Sequence, residues 1–163
     1  MARSTYVYVT YIRTTPEKLW SALTDAEFTK QYWFGMRAES RWTPGSPWKL
    51  VSSDGRVFDA GEIVEARPPQ RLVIRWRNEW NPELKAEGAS LCTIELEPGA
   101  GAVKLSITHS IEREPSKFIT AVSGGWPKVL SNLKSLLETG DVLPQSPWEM
   151  DAEMRDAQLS RTD

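Results

Sequence analysis

A chain of 163 residues fits one domain that buries roughly two-thirds of its unfolded surface. Its net charge is −2 with both signs interspersed, and no apolar run reaches membrane-spanning length. These features exclude a basic nucleic-acid face and a transmembrane span. The single cysteine, Cys92, rules out an internal disulfide. With one histidine beside it, the chain gives no basis for a metal site or a cofactor. The N-terminus lacks the basic-then-apolar pattern of a signal peptide, so a cytoplasmic location is expected. Eight tryptophans are unusual and need either a large core or a ligand to rest against.

Thr5 to Arg13 is aromatic and β-branched with alternation, which predicts a first strand. Thr15-Pro16 marks a helix start, with Leu19, Trp20 and Leu23 on its buried side. Thr24-Asp25-Ala26-Glu27 reads as a capping box for a second short helix carrying Phe28 and Tyr32, ended by Gly35. Met36 to Trp42 and Trp48 to Ser53 read as strands, and Asp54-Gly55 as a two-residue hairpin turn. That turn pairs Ser53 with Arg56, sets Trp48 opposite Gly61, and turns Asp59 inward opposite Leu50 with Glu62 outward; a bulge near Gly61 would swap those two. Glycine opposite a large ring makes room for it. Val57 to Ala66 and Arg71 to Trp76 follow, with Leu72, Ile74 and Trp76 on one face. Asn78 to Gly88 is polar and reads as a loop. Leu91 to Glu97 and Val103 to His109 form a last hairpin. If Pro98 to Gly101 is its turn, Cys92 lies opposite Ile107, with His109 on the diagonal. Apolar-in, polar-out alternation predicts an antiparallel sheet with one wet side.

Ser123 to Gly140 is amphipathic: Trp126, Val129, Leu130, Leu133, Leu136 and Leu137 share one stripe. Pro127 suits a first helical position and Gly140 a left-handed end. Phe118, Ile119 and Val122 also sit at helical spacing, so a longer helix interrupted or bent around Gly124, Gly125 and Pro127 is the alternative. This helix must bury its stripe, and a curved sheet closed around it does so. The organisation expected is one domain over residues 1–140 and a polar tail over 141–163. In that tail Ser146-Pro147-Trp148-Glu149 is a further capping box, either a short helix packing Trp148 or a frayed end.

Four stretches together resemble a known group: PEKLWSALTD from Pro16, the aromatic cluster ending at Trp33-Phe34, GEIVEARPPQRLVIRW from Gly61, and GWPKVLSNLKSLLETG from Gly125. The chain resembles the SRPBCC, or START-like, superfamily, and within it the family of the heat-shock protein 90 ATPase activator C-terminal domain. The resemblance implies an α+β helix-grip fold: a curved antiparallel sheet of about six or seven strands wrapped around a long C-terminal helix, with two short helices after strand 1. It also implies a cavity between sheet and helix, which in relatives holds apolar small molecules. The eukaryotic co-chaperone carries a separate N-terminal chaperone-binding domain for which this chain has no room, so chaperone activation is not expected to transfer.

The candidate ligand-binding residues are Trp33, Trp48, Trp76, His109 and Trp126, with Tyr32 and Phe34 near the opening and Asp59 as an inward carboxylate. Apolar walls with a few convergent polar groups are the usual form of a small-molecule site. The plain alternative is that the rings fill the interior, Trp20 and Trp126 reading more as core than Trp48 and Trp76. His109 reads more readily as a strand-end histidine bonded to water or backbone, and Cys92 as an inert small hydrophobe rather than half of a thiol–imidazole dyad. No residue is assigned as catalytic. Binding of a small apolar or aromatic ligand is the expected function. Its rivals are a polyketide cyclase or hydrolase type of enzyme with Asp59 or His109 buried and shifted, and a protein-interaction module whose interior is filled. A homodimer through a sheet edge or the tail is compatible with each.

Overall fold

The computed structural model describes residues 2–144, so the capping box at Ser146 and the polar tail beyond it lie outside the described residues. Strand β1 (Ser4–Ile12) leads into α1 (Pro16–Thr24) and α2 (Ala26–Tyr32). The strands β2 (Arg37–Ser40), β3 (Pro47–Val51), β4 (Val57–Arg67) and β5 (Arg71–Asn78) follow. A single turn of helix, α3 (Pro82–Lys85), precedes β6 (Ser90–Pro98), β7 (Val103–Ile111) and the long α4 (Lys117–Thr139). The strands form one seven-stranded sheet in the order β1-β7-β6-β5-β4-β3-β2. Every neighbouring pair is antiparallel. This is the curved, helix-grip arrangement expected from the sequence.

Alternation produces the core. On β7, Val103, Leu105, Ile107, His109 and Ile111 are buried while the residues between them are half-exposed; on β6, Ser90, Cys92, Ile94 and Leu96 are buried. The stripe of α4 covers this face, packing on β1, β7 and α2. Burying side chains such as Leu130 and Leu133 contributes about 1.5–3 kcal/mol each, which far exceeds what helix propensity supplies.

Several local features differ from the sequence reading. The α4 helix begins at Lys117, the longer of the two alternatives, and runs through Gly124, Gly125 and Pro127. Its start is fixed by Ser116, whose hydroxyl accepts from Ile119 N–H at 3.1 Å. Glu87 accepts from the Ser116 hydroxyl at 2.6 Å and from Lys117 N–H at 2.8 Å. A carboxylate against orphan helix N–H groups is favourable, and burial of Phe118 and Ile119 holds the added turns down. The loop from Asn78 contains α3, capped by Asn81, whose side chain accepts from Glu83 N–H at 2.9 Å. At the second helix Asp25, not Thr24, is the cap. The Thr24 hydroxyl instead donates back to Trp20 C=O at 2.8 Å.

Two hairpins also differ. Ser53 does not pair with Arg56: the Ser52–Arg56 loop is longer, and a bulge between Leu50 and Val51 compensates. Because the two irregularities cancel, Trp48 still faces Gly61 and Leu50 still faces Asp59. The last hairpin closes at Gly99–Ala102, through Gly99 N–H to Ala102 C=O, rather than at Pro98–Gly101. Cys92 is therefore directly opposite His109 instead of diagonal to it.

Candidate functional site

One row of the sheet builds the site. Trp48 pairs with Gly61, Gly61 with Trp76, and Trp76 with Ser90. With no side chain between them, the Trp48 and Trp76 rings approach to 4.4 Å between centroids. Space for the rings is not the tightest constraint on Gly61. A Cβ there would lie 1.7 Å from the Arg75 carbonyl oxygen, so the close approach of β5 backbone demands glycine.

Trp76 then meets three further rings. Its centroid lies 6.1 Å from Trp33, 5.7 Å from Trp126 and 5.2 Å from His109. Trp33 and Trp126 meet edge to face at 5.4 Å. Such tilted contacts match the quadrupoles of the rings.

His109 is wholly buried and both ring nitrogens are engaged. Trp126 Nε1–H donates to Nδ1 at 3.1 Å. Nε2 lies 2.8 Å from Ser90 Oγ, whose own hydrogen goes to Trp76 C=O at 2.9 Å. With its hydroxyl hydrogen spent there, Ser90 accepts, and His109 is fixed as the neutral Nε2–H tautomer. Desolvation lowers its pKa to about 3. His109 therefore ties α4 to three strands through Trp126, and has no lone pair or proton free for chemistry.

Between these rings, α3 and α4 lies a cavity of about 380 Å³. Trp33, Trp76, Trp126 and Phe118 wall it, with Phe34 beside them. Phe34 holds a left-handed backbone at φ 55, which lies immediately before Gly35 at φ 87. Glu83, Lys117 and Lys128 are the charged residues lining it from the helices. Glu83 and Lys117 pair with each other and are largely exposed.

Asp59 is the buried carboxyl in this lining, 7% exposed and opposite Leu50 and Asn78 in the ladder. Desolvation raises its pKa to about 7, the Trp76 indole N–H pulls it back, and the like charge of Glu79 adds to the rise. Trp76 Nε1 makes no hydrogen bond of normal geometry, so its pull on Asp59 is that of a nearby dipole rather than a formed bond. Glu79 itself is neutralised by Arg77 at 2.5 Å and Lys85 at 3.0 Å.

Of the residues singled out by sequence, Trp33, Trp76, Trp126 and Asp59 line the cavity. Trp48 lies behind Trp76, and His109 lies behind Trp126. Tyr32 is core: its hydroxyl donates to Ala22 C=O at 2.8 Å and it is 1% exposed. The thiol–imidazole dyad is not formed, since both His109 nitrogens have other partners and burial pushes the Cys92 thiol well up. Sequence reasoning missed Phe118, Leu84 and Asn81 as lining residues. The Asn81-Pro82 cap signal was there to find, but it lay inside a stretch read as loop. Among the described residues no group of three or more His, Cys, Asp or Glu side chains could hold a metal ion. No described helix is long and apolar enough to cross a membrane.

A family model described as activator of Hsp90 ATPase homolog 1-like protein matches residues 13–138. Among solved structures, protein MLL2253 from Mesorhizobium loti superposes with a TM-score of 0.72 at 23% identity, covering 85% of this chain and 100% of that one. The solution structure of the Aha1 dimer from Colwellia psychrerythraea gives 0.69 at 20% identity, covering 84% and 98%. PFC0360w, an HSP90 activator from Plasmodium falciparum, gives 0.67 at 23% identity, covering 82% and 95%. At these identities the likeness is one of fold. A comparison with curated proteins gives no match.

Proposed function

The chain belongs to the activator of Hsp90 ATPase homolog 1-like family, and from its interior we infer that it binds a small apolar or aromatic molecule between the sheet and the long helix. The observation that carries this reading is the indole-walled cavity of about 380 Å³. That volume falls in the usual range of small-molecule sites. Burial contributes about 0.8 kcal/mol per methylene, so a ligand of roughly ten carbons reaches micromolar affinity. The interaction-module alternative called for a filled interior, and the cavity speaks against it.

An acid–base enzyme is the second reading, because Asp59 lines the cavity with a pKa raised to about 7. A general base works best near the working pH. His109 cannot serve as its partner, since both nitrogens are occupied. Self-association is compatible with either reading: β1 ends the sheet, and Val7 and Tyr11 on it are 57% and 59% exposed. Sedimentation velocity checks this.

The test of binding is titration of tryptophan fluorescence with naphthalene and biphenyl derivatives, together with native mass spectrometry of protein from its own host. Saturable one-to-one quenching, weakened about ten-fold by Trp33→Ala, is the expected result. Absence of saturable quenching across the series refutes the reading.

A further inference from the structure

The buried end of the cavity is electrically unbalanced. Asp59 sits there 7% exposed. The groups that act on it are the Trp76 indole N–H and the like charge of Glu79. From β5 it is flanked by Asn78, whose side-chain oxygen already accepts from Asn81 N–H at 2.8 Å. On α3 and α4, Glu83 and Lys117 are paired with each other near solvent, at 64% and 68% exposure, and Lys128 lines the helix wall. A buried carboxylate without a counter-charge is costly, and a cation brought by a ligand would offset that cost.

The rings around Asp59 add to the same imbalance. Trp33, Trp76 and Trp126 meet pairwise at 5.4–6.1 Å, at interplanar angles of 40–71°. Rings this close pack against one another, Trp126 meeting both Trp33 and Trp76 edge to face, so they form one indole wall whose outer side lines the cavity. The negative indole surface turned to the cavity, beside a carboxyl, favours a positive, weakly hydrated guest.

We propose that the buried end of this cavity seats an ammonium group carried on an apolar or aromatic ligand, with Asp59 as counter-ion and the cavity-facing sides of Trp33, Trp76 and Trp126 as the wall beside it. The ligand class is thus an amphiphilic organic cation, its apolar part lying along Phe118 and the α4 wall. This rests on the binding function proposed above and assigns the polar anchor within it. A catalytic base at the same position would need a second proton-handling group on the cavity wall, and His109 is not available for that.

Two probes of one shape separate the possibilities: phenethyltrimethylammonium, and its uncharged carbon isostere 3,3-dimethylbutylbenzene. The quaternary nitrogen does not titrate, so any pH dependence belongs to the protein. At pH 8 the wild-type chain is expected to bind the ammonium probe about ten-fold more tightly than the isostere, read by tryptophan quenching. In Asp59→Asn the two probes should bind within about two-fold of each other. At pH 5 the wild-type chain should behave as the variant does, because Asp59 is then protonated. Equal or tighter binding of the isostere at pH 8, or a preference that survives Asp59→Asn, overturns the anchor while leaving the cavity reading intact. If neither probe binds while the naphthalene and biphenyl series does, the anchor falls and the cavity reading stands; if nothing in either set binds, both fall.

Discussion

Replacing Asp59 by asparagine removes one ionisation at nearly constant volume. In the folded chain burial keeps the carboxyl protonated up to about pH 7, whereas the ordinary value is 3.8. Between those two values the unfolded chain releases a proton that the folded chain holds. Asp59 therefore costs nothing below the lower value, costs more as pH rises, and reaches a constant penalty above about pH 7. At 1.36 kcal/mol per pH unit, that penalty is about 4 kcal/mol. Asparagine never ionises, so Asp59→Asn should be more stable than wild type by about 4 kcal/mol at pH 8. Near pH 4 the two should lie within about 1 kcal/mol of each other. Urea unfolding followed by tryptophan fluorescence, run from pH 4 to 8, measures both. The difference between the two proteins isolates Asp59 from other titrating groups. A difference that does not grow with pH, or a variant less stable than wild type at pH 8, refutes the assignment of Asp59 as an uncompensated buried acid.

His109 titrates with the opposite sign: its folded pKa of about 3 lies below the ordinary 6.5, so wild-type stability falls as pH drops below that value. His109→Phe leaves the Trp126 indole N–H without its acceptor and should cost about 1–3 kcal/mol at pH 7.5. The deficit should shrink by about 2 kcal/mol at pH 5, because the variant escapes the cost of keeping an imidazole neutral; chemical unfolding at both pH values checks it. Gly61→Ala drives a Cβ to 1.7 Å from the Arg75 carbonyl oxygen and should destabilise by about 3 kcal/mol or more, seen as a lowered thermal midpoint by circular dichroism. Cys92 is wholly buried with a raised pKa, so its reaction with Ellman's reagent should be slow in the folded chain and rapid in urea; fast native labelling would contradict its burial.

Local sequence determined the elements and the faces. Alternation on β5, β6 and β7 and the apolar stripe of α4 told which side chains go inside, because a pleat and a helical turn have fixed periods. The Trp48–Gly61 and Leu50–Asp59 pairs were legible too, since the longer turn and the bulge cancel without changing face. Register at the last hairpin was not legible: moving its turn by one residue kept every face and changed only which residue stands opposite Cys92. The start of α4 was ambiguous in sequence because its cap is completed by Glu87, which lies 29 residues before Ser116. Only the tertiary structure decided which inward rings wall the cavity and which lie behind them. Trp33, Trp48, Trp76 and Trp126 share one interior, but whether a ring meets space or another ring depends on where α3 and α4 settle. That same packing, and no local pattern, strips Asp59 of water without giving it a cation.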